Sequence, residues 1–341
     1  MNNKILVTGG AGYVGSNLIG KLLDNGLKVR CLDLLMYGDD SIKSYYNNKN
    51  FELIKGDIRS LDVLEKSLEG IACVVHLAAI VGDQPCLVAP NLAYKINFTA
   101  TKLLVDTSIK KKINKFIFSS TCSNYGETEN DSLVNEESKL NPVSLYAETK
   151  IDCERYISSI DSKLMTCVIL RFATAFGVSN RTRFDLTVNS FAYEAITNKQ
   201  LLIFAANTWR PYIHVNDMSS IILKLINSDD IDKQINTHNI FNAGFTDQNY
   251  TKKNLLDMLK ILLPETKIRY VDNDVIDKRN YKVDFSKINT FLDIECTIDV
   301  NQGLKEIIYY IKDNKNIDDI FNKSNLDALK LFFSNQEIIS N

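Results

Sequence analysis

The stretch that most constrains this chain is Thr8-Gly9-Gly10-Ala11-Gly12-Tyr13-Val14-Gly15. The apolar run Ile5-Leu6-Val7 precedes it, and an amphipathic run from Ser16 to Asn25 follows it. That order reads as strand, tight turn, helix. Glycine takes positive φ without steric cost, and backbone lacking a Cβ can press against a bound diphosphate. The helix starting here aims unpaired N–H groups and the positive end of its dipole at the same spot. Gly9, Gly12 and Gly15, with Tyr13 and Val14 between them, are therefore candidate diphosphate-binding residues. The spacing is G-x-x-G-x-x-G, not the commoner G-x-G-x-x-G. A short glycine motif also occurs as a turn without a ligand, so the neighbouring residues decide.

Val29-Arg30-Cys31-Leu32-Asp33 reads as a second strand ending in an acid. Asp33 lies 18 residues beyond Gly15, close to the ~20 expected for a carboxylate that bonds an adenosine ribose. A carboxylate there repels a 2′-phosphate, and Leu34-Leu35-Met36 supplies no Arg to bind one. The expected cofactor is NAD rather than NADP.

At 341 residues the chain has length for a large core and a second lobe. The net charge is −2, so no basic field points to nucleic acid or to an anionic membrane. The seven Cys are scattered, with no C-x-x-C pair, and several fall in strand-like runs. They read as reduced core thiols, and no metal site is expected. No apolar run reaches the ~18 residues of a membrane span, and the chain opens directly into a strand rather than a secretory signal. The expected location is cytoplasmic.

Further strands are expected at Phe51–Ile54, Ala72–Leu77, Lys115–Ser119 and Thr166–Arg171, with helical stretches between them. This is the βαβ rhythm of a doubly wound parallel sheet, an α/β Rossmann-type fold with a smaller substrate-binding lobe. Ligands then sit outside the carboxyl ends of the strands. After the third strand, Asp57 can bond an adenine amino group and Ile58 can pack on its ring, or Asp57 can cap the next helix. After the fourth, Leu77, Ala78 and Ala79 leave room for cofactor backbone contacts, and His76 reads as a packed structural histidine. The loop from Ile80 to Cys86 lies at the expected mouth, where Asp83 and Cys86 are either sugar contacts or solvated loop residues. Long helices are expected at Ala93–Lys112 and Leu145–Ser158, and Asn97 in the first can bridge to the site. An uncovered apolar face on both would pair them with their copies in a homodimer, although packing on the sheet satisfies the pattern equally.

The chemistry lies after the fifth strand. Phe118-Ser119-Ser120-Thr121 ends it, and Tyr146-Ala147-Glu148-Thr149-Lys150 opens a helix. An i, i+4 spacing sets Tyr146 and Lys150 on one helical face. A nearby ammonium favours a phenolate and lowers the tyrosine from about 10 toward working pH. Such a group can take a proton from a sugar hydroxyl while the carbon gives up hydride. Thr121 can hold the same oxygen.

Together GGAGYVG, Asp33, Gly56-Asp57-Ile58, His76-Leu77-Ala78-Ala79, the Ser119-Ser120-Thr121 strand end and Tyr146/Lys150 resemble the extended short-chain dehydrogenase/reductases that act on nucleotide sugars. The resemblance runs from Lys4 to about Lys312. It implies bound NAD, catalytic roles for Thr121, Tyr146 and Lys150, and a contact of Lys150 with the nicotinamide ribose. Leu170 to Gly177, including Phe172 and Thr174, resembles the segment passing the nicotinamide. Asn189 falls where a family asparagine meets the substrate diphosphate. Arg210, in Trp209-Arg210-Pro211-Tyr212-Ile213-His214-Val215, matches the family arginine that grips it, as a guanidinium suits. Arg279 is expected to do the same. Arg181 and Arg183 are further candidates or solvated loop residues, and His214 reads as structural. The implied division is an NAD-binding domain, 1–175 with about 212–243, a nucleotide-sugar lobe, about 176–211 and 244–313, and a helical extension, 314–341. The extension carries Leu326, Leu329, Leu331 and Phe332 at helical spacing and is expected to pack on the body or a partner without chemistry.

The family's dehydratases carry an acid just after the catalytic Thr, where this chain has Cys122-Ser123. The epimerase-reductases use a cysteine at Ser123 and a histidine, a role that none of His76, His214 and His238 matches. A C4 epimerase working through a 4-keto sugar is the reading favoured, with a 2-epimerase a further possibility. A net C4 dehydrogenase remains open, because Ser179–Leu186 and Ala78–Gly82 resemble a branch serving bacterial surface polysaccharides, including enzymes of GDP-heptose. A catalytically silent scaffold is the alternative from another class.

Overall fold

The computed structural model describes residues 4–128, 132–228, 239–271, 279–314 and 325–333. His238 and the Asp277-Lys278 part of the Arg279 segment lie outside them. The strands are β1 (Lys4–Thr8), β2 (Lys28–Asp33), β3 (Phe51–Lys55), β4 (Ile71–His76), β5 (Lys115–Thr121), β6 (Leu133–Val134), β7 (Thr166–Phe172), β8 (Thr174–Phe176), β9 (Gln200–Phe204), β10 (Trp209–His214), β11 (Asn239–Ala243), β12 (Asn249–Thr251), β13 (Lys267–Val271) and β14 (Lys282–Val283). The helices are α1 (Tyr13–Asp24), α2 (Leu61–Ser67), α3 (Asp83–Val88), α4 (Pro90–Tyr94), α5 (Ala100–Lys110), α6 (Leu145–Ser158), α7 (Thr187–Thr197), α8 (Val215–Ile226), α9 (Lys252–Leu262), α10 (Ser286–Leu292), α11 (Val300–Asp313) and α12 (Asn325–Phe332).

Seven strands form one sheet in the order β11-β7-β5-β4-β1-β2-β3, and every pairing in it is parallel. Its order reverses between β1 and β4, which opens a crevice at their carboxyl ends. Side chains alternate along each strand. Ile5, Val7, Cys31, Val75 and Ile117 enter one core with α1 and α8. Leu6, Leu32, Val74, Phe116 and Phe118 enter the other, with α2, α5 and α6. A third core joins α7, α9 and α11 with β9.

The six strands expected from sequence are all present. The helix expected at Ala93–Lys112 starts earlier, at Pro90, and contains a π turn at Lys95–Thr99 between α4 and α5. The helix α1 starts inside the glycine motif, because Gly12 is already extended (φ −78°, ψ −177°) and serves as its N-cap. All seven cysteines are free thiols, five of them buried. Among the described residues no helix is long and apolar enough to cross a membrane.

Candidate active site

A cleft of about 1080 Å³ runs along the carboxyl ends of the sheet. The glycine turn forms its floor. Gly9 has φ +72°, and a Cβ there would lie 2.7 Å from the Ala78 nitrogen. A Cβ on Gly15 would lie 2.3 Å from the Gly9 carbonyl oxygen. The first glycine thus admits the loop after β4, and the third lets α1 pack onto the turn. No side chain caps α1 at Gly12, so the first-turn N–H groups are left for a ligand. Gly12, Tyr13, Val14, Leu77, Ala78 and Ala79 also line the cleft. This cradle, lacking both Cβ atoms and a cap, fits a dinucleotide diphosphate.

Asp33 stands at the end of β2 and also lines the cleft. Its Oδ2 accepts the N–H of Ala11 at 2.9 Å and its Oδ1 that of Leu35 at 2.7 Å. Burial pushes its carboxyl up, and those two bonds pull it down. A carboxylate accepts about four hydrogen bonds, so two positions are left for ribose hydroxyls. Ile58 lines the next part of the cleft. Asp57 does not cap α2, because Ser60 does, accepting from the Val63 nitrogen. Its oxygens instead take the N–H and the guanidinium of Arg59 (2.8, 2.9 and 2.6 Å).

At the other end of the cleft Thr121, Tyr146 and Lys150 share its wall. Thr121 ends β5 and accepts the Ser123 N–H at 3.1 Å. Ser144 caps α6, which places Tyr146 in its first turn and Lys150 one turn on. The Lys150 Nζ donates to the Ser119 carbonyl at 2.8 Å. It lies 4.6 Å from the Phe118 ring centroid and 5.9 Å from that of Tyr146. Burial lowers Lys150 to about 8. Burial also pushes Tyr146 up, against the pull of Arg183. In the chain by itself desolvation therefore outweighs the lowering that a nearby ammonium gives a phenol. A buried network braces this wall. Glu154 on α6 bonds Arg171 at 2.7 Å, Asn124 at 2.8 Å and the Ser120 hydroxyl, tying the end of β5 to β7 and α6.

On the facing side Phe172, Thr174, Arg183, Asp83 and Arg279 line the cleft. Arg183 is forked onto Asp185 at 3.0 and 2.6 Å, and Arg279 pairs with Asp83 at 3.2 Å. Asp83 and Arg279 thus neutralise each other across the mouth.

Three expected contacts lie outside the cleft lining. Asn97 is 2% exposed. Its carboxamide is taken by the Ile80 N–H (2.8 Å) and carbonyl (3.0 Å), so it shapes the loop after β4 from behind. Asn189 holds both the N–H and the carbonyl of Gly177 and the carbonyl of Arg183 (3.0, 3.2 and 2.8 Å). Arg210 packs on Tyr281, 5.0 Å from the ring centroid, and donates to the carbonyls of Trp209 and Arg279. It supports the Arg279 segment rather than reaching the cleft. Cys86 is buried and its thiol donates to the Ile80 carbonyl, so it is neither a sugar contact nor a solvated loop residue. His76 is packed between Thr8 and Thr101. His214 bonds Glu306 at 2.7 Å, away from the cleft.

The C-terminal helix expected to pack on the body or a partner is present, but its place at the cleft was not expected: Asn325, Leu326 and Phe333 line it, so residues 325–333 belong to the site wall. Of the expected apolar stripe, Leu329 is buried, but Leu331 is 90% exposed. Helical spacing showed an amphipathic helix there, but nothing local said where it docks. Among the described residues no cluster of His, Cys, Asp and Glu could hold a metal ion.

A parallel sheet with a glycine cradle at its switch point, an acid closing the second strand and a Thr–Tyr–Lys wall defines a dinucleotide-dependent enzyme class. The model of the NAD-dependent epimerase/dehydratase family matches residues 5–244, and the chain belongs to that family, with NAD as its cofactor. It is similar to a UDP-glucose 4-epimerase of Corynebacterium glutamicum, 28% identical over 75% of this chain and 79% of that one. It is 26% identical to a low-salt glycan biosynthesis protein of Haloferax volcanii, over 91% of this chain and 99% of that one. Among solved structures it resembles the Thermotoga maritima UDP-glucose 4-epimerase with UDP-glucose, at TM-score 0.79 and 27% identity, covering 91% and 98% of the two chains. The Bacillus cereus UDP-glucuronic acid 4-epimerase, with UDP-glucuronic acid and NAD, gives TM-score 0.79 and 27% identity, covering 91% and 99%.

Proposed function

We propose that the chain interconverts the C4 epimers of a UDP-activated sugar through a 4-keto form. The observation that carries this reading is that Thr121, Tyr146 and Lys150 share one wall of a cleft whose floor is the glycine cradle. Bound NAD supplies reversible hydride chemistry at the sugar carbon. Tyr146, once its own proton has passed to solvent, takes the proton of the C4 hydroxyl as the phenolate and later returns it. Thr121 holds that oxygen in place, and Lys150, fixed on the Ser119 carbonyl, keeps a cation beside the phenol. Arg183 and Arg279 are the proposed diphosphate contacts, with Asn189 and Arg210 holding their segments. The Cys122 thiol is buried on the Arg171 carbonyl at 3.0 Å, and Ser123 has no carboxyl group. That position therefore offers no acid for the proton transfers of 4,6-dehydration, which favours epimerisation. The UDP assignment rests on the named relatives.

The test is to incubate the protein as purified with UDP-, dTDP- and GDP-sugars, following reduced nicotinamide by absorbance and products by NMR. An inverted C4 with no net NADH is expected for a UDP-sugar. Accumulating NADH with a 4-keto product would replace the epimerase by a net dehydrogenase. Bound NAD with every sugar untouched would leave a silent scaffold. The proposal includes a homodimer through the Pro90–Lys110 and α6 helices; light scattering reads the mass, and a monomer would remove it.

A further inference from the structure

Helix α12 lies across the cleft rather than beside it. Its first residue, Asn325, is 6% exposed. The Asn325 Oδ1 accepts the Arg181 Nη2 at 2.9 Å, and its Nδ2 donates to the Val81 carbonyl at 3.5 Å. Val81 follows β4. The Arg181 guanidinium lies 3.4 Å from the centroid of the Tyr37 ring, and Tyr37 follows the ribose acid Asp33. One buried amide therefore joins the two lips of the cleft. Just past the other end of the helix, Phe333 lies 5.6 Å beneath the Arg59 guanidinium, beside Asp57 and Ile58. Leu329 and Phe333 are 1% and 3% exposed and belong to the same core as Leu64 and Val74. The helix is thus anchored in the NAD-binding half of the molecule and spans the part of the cleft between Asp33 and Ile58.

We infer that α12 is a cap, supplied by the chain itself, over the adenosine half of the NAD site, and that bound NAD leaves only when this helix undocks. The cleft keeps about 1080 Å³ with the helix in place, slightly more than the ~300–1,000 Å³ of typical sites that enclose a ligand. The helix is therefore a roof and not a plug. A ligand under a docked element dissociates no faster than the element opens. Such a cap suits a reaction in which the same cofactor takes and returns hydride. The inference rests on NAD being the cofactor and not on which sugar is turned over.

The test reads cofactor exchange without any sugar. Full-length protein loaded with NAD is mixed with excess isotope-labelled NAD, and incorporation is followed after rapid desalting, with the Kd of NAD measured by titration calorimetry. Leu329→Asp puts a charge into the anchoring contact, and the pair Asn325→Ala with Phe333→Ala removes the roof contacts while keeping Leu329. Exchange at least about tenfold faster and a Kd raised by about tenfold are expected in both variants. Unchanged exchange and Kd in a variant with native circular dichroism would overturn the cap. Tighter NAD binding on undocking would overturn it as well, by making the helix a competitor for the site. If Leu329→Asp fails to fold, the Asn325/Phe333 pair decides alone.

Discussion

The carboxylate of Asp33 accepts the backbone N–H of Ala11 at 2.9 Å. The acid at the end of the second strand therefore helps to build the glycine turn as well as facing the cleft. One residue carries two jobs that sequence spacing assigns to separate motifs.

This makes Asp33→Asn a sharper probe than Asp33→Ala, which would also loosen the turn. In the Asn variant one oxygen can still accept from Ala11 or Leu35, but an amide NH₂ then faces the other N–H. Hydrogen bonds to a charged group contribute about 1.5–3 kcal/mol, so the Kd of NAD should rise by about tenfold or more. Loss of the negative charge should also narrow the preference for NAD over NADP. Calorimetric titration of both cofactors measures this, and an unchanged ratio of the two Kd values would rule out Asp33 as the selector.

Replacement of Tyr146 by Phe removes the proposed proton carrier and leaves the ring that packs near Lys150. Turnover should fall at least ~10²-fold, the usual worth of a general acid–base group. The Kd of NAD should stay within a few-fold. Steady-state kinetics with cofactor titration on the same sample separates the two effects, and full turnover in the Phe variant would remove Tyr146 from the mechanism.

Glu154 and Arg171 form a buried pair, each side chain 4% exposed. Glu154→Ala would strand the guanidinium inside the protein and release Ser120 and Asn124. Breaking one side of a buried pair costs about 3–5 kcal/mol. The guanidinium chloride midpoint should drop accordingly, and turnover should drop with it as the end of β5 loses its brace. A midpoint within experimental error of the parent would mean that the network stabilises little.

Burial, reinforced by the charge of Lys150, lowers His76 to about 3. The unfolded chain takes up this proton near 6.5, well before the folded one does. The stabilising contribution is thus complete above pH 6.5 and is lost as pH falls toward 3, at up to about 1.4 kcal/mol per unit. His76→Gln should be less stable at pH 7, and the gap to the parent should close between pH 6 and 4. Urea unfolding at four pH values shows this, and parallel curves would contradict it.

Local chemistry made much of the fold readable. Strands, the glycine turn and the acid that ends the second strand follow from alternation, positive φ and spacing, all properties of neighbouring residues. Tyr146 and Lys150 were readable as a pair for the same reason, since four residues make one helical turn. Three of the expected contacts lie outside the cleft lining for a common reason. Asn97, Asn189 and Arg210 are polar residues in the expected places, yet each is spent on backbone groups of a neighbouring loop. Sequence shows that a side chain can bond but not which partner reaches it first. The protonation of Tyr146 belongs with them, because desolvation depends on everything packed around the ring.

The sequence by itself determined the parallel α/β sheet and NAD as the cofactor, and it brought Thr121, Tyr146 and Lys150 forward as candidates, because each is encoded within a strand, a turn or a helix. The tertiary structure alone decided which arginines face the cleft, that Asp83 and Arg279 meet across its mouth, and that a helix from Asn325 lines the cleft, with Asn325 on Arg181 and Phe333 against Arg59. Those contacts join segments far apart in the chain, such as Asn325 and Val81, 244 residues apart. Their geometry is set by how the cores pack, and no local pattern carries it.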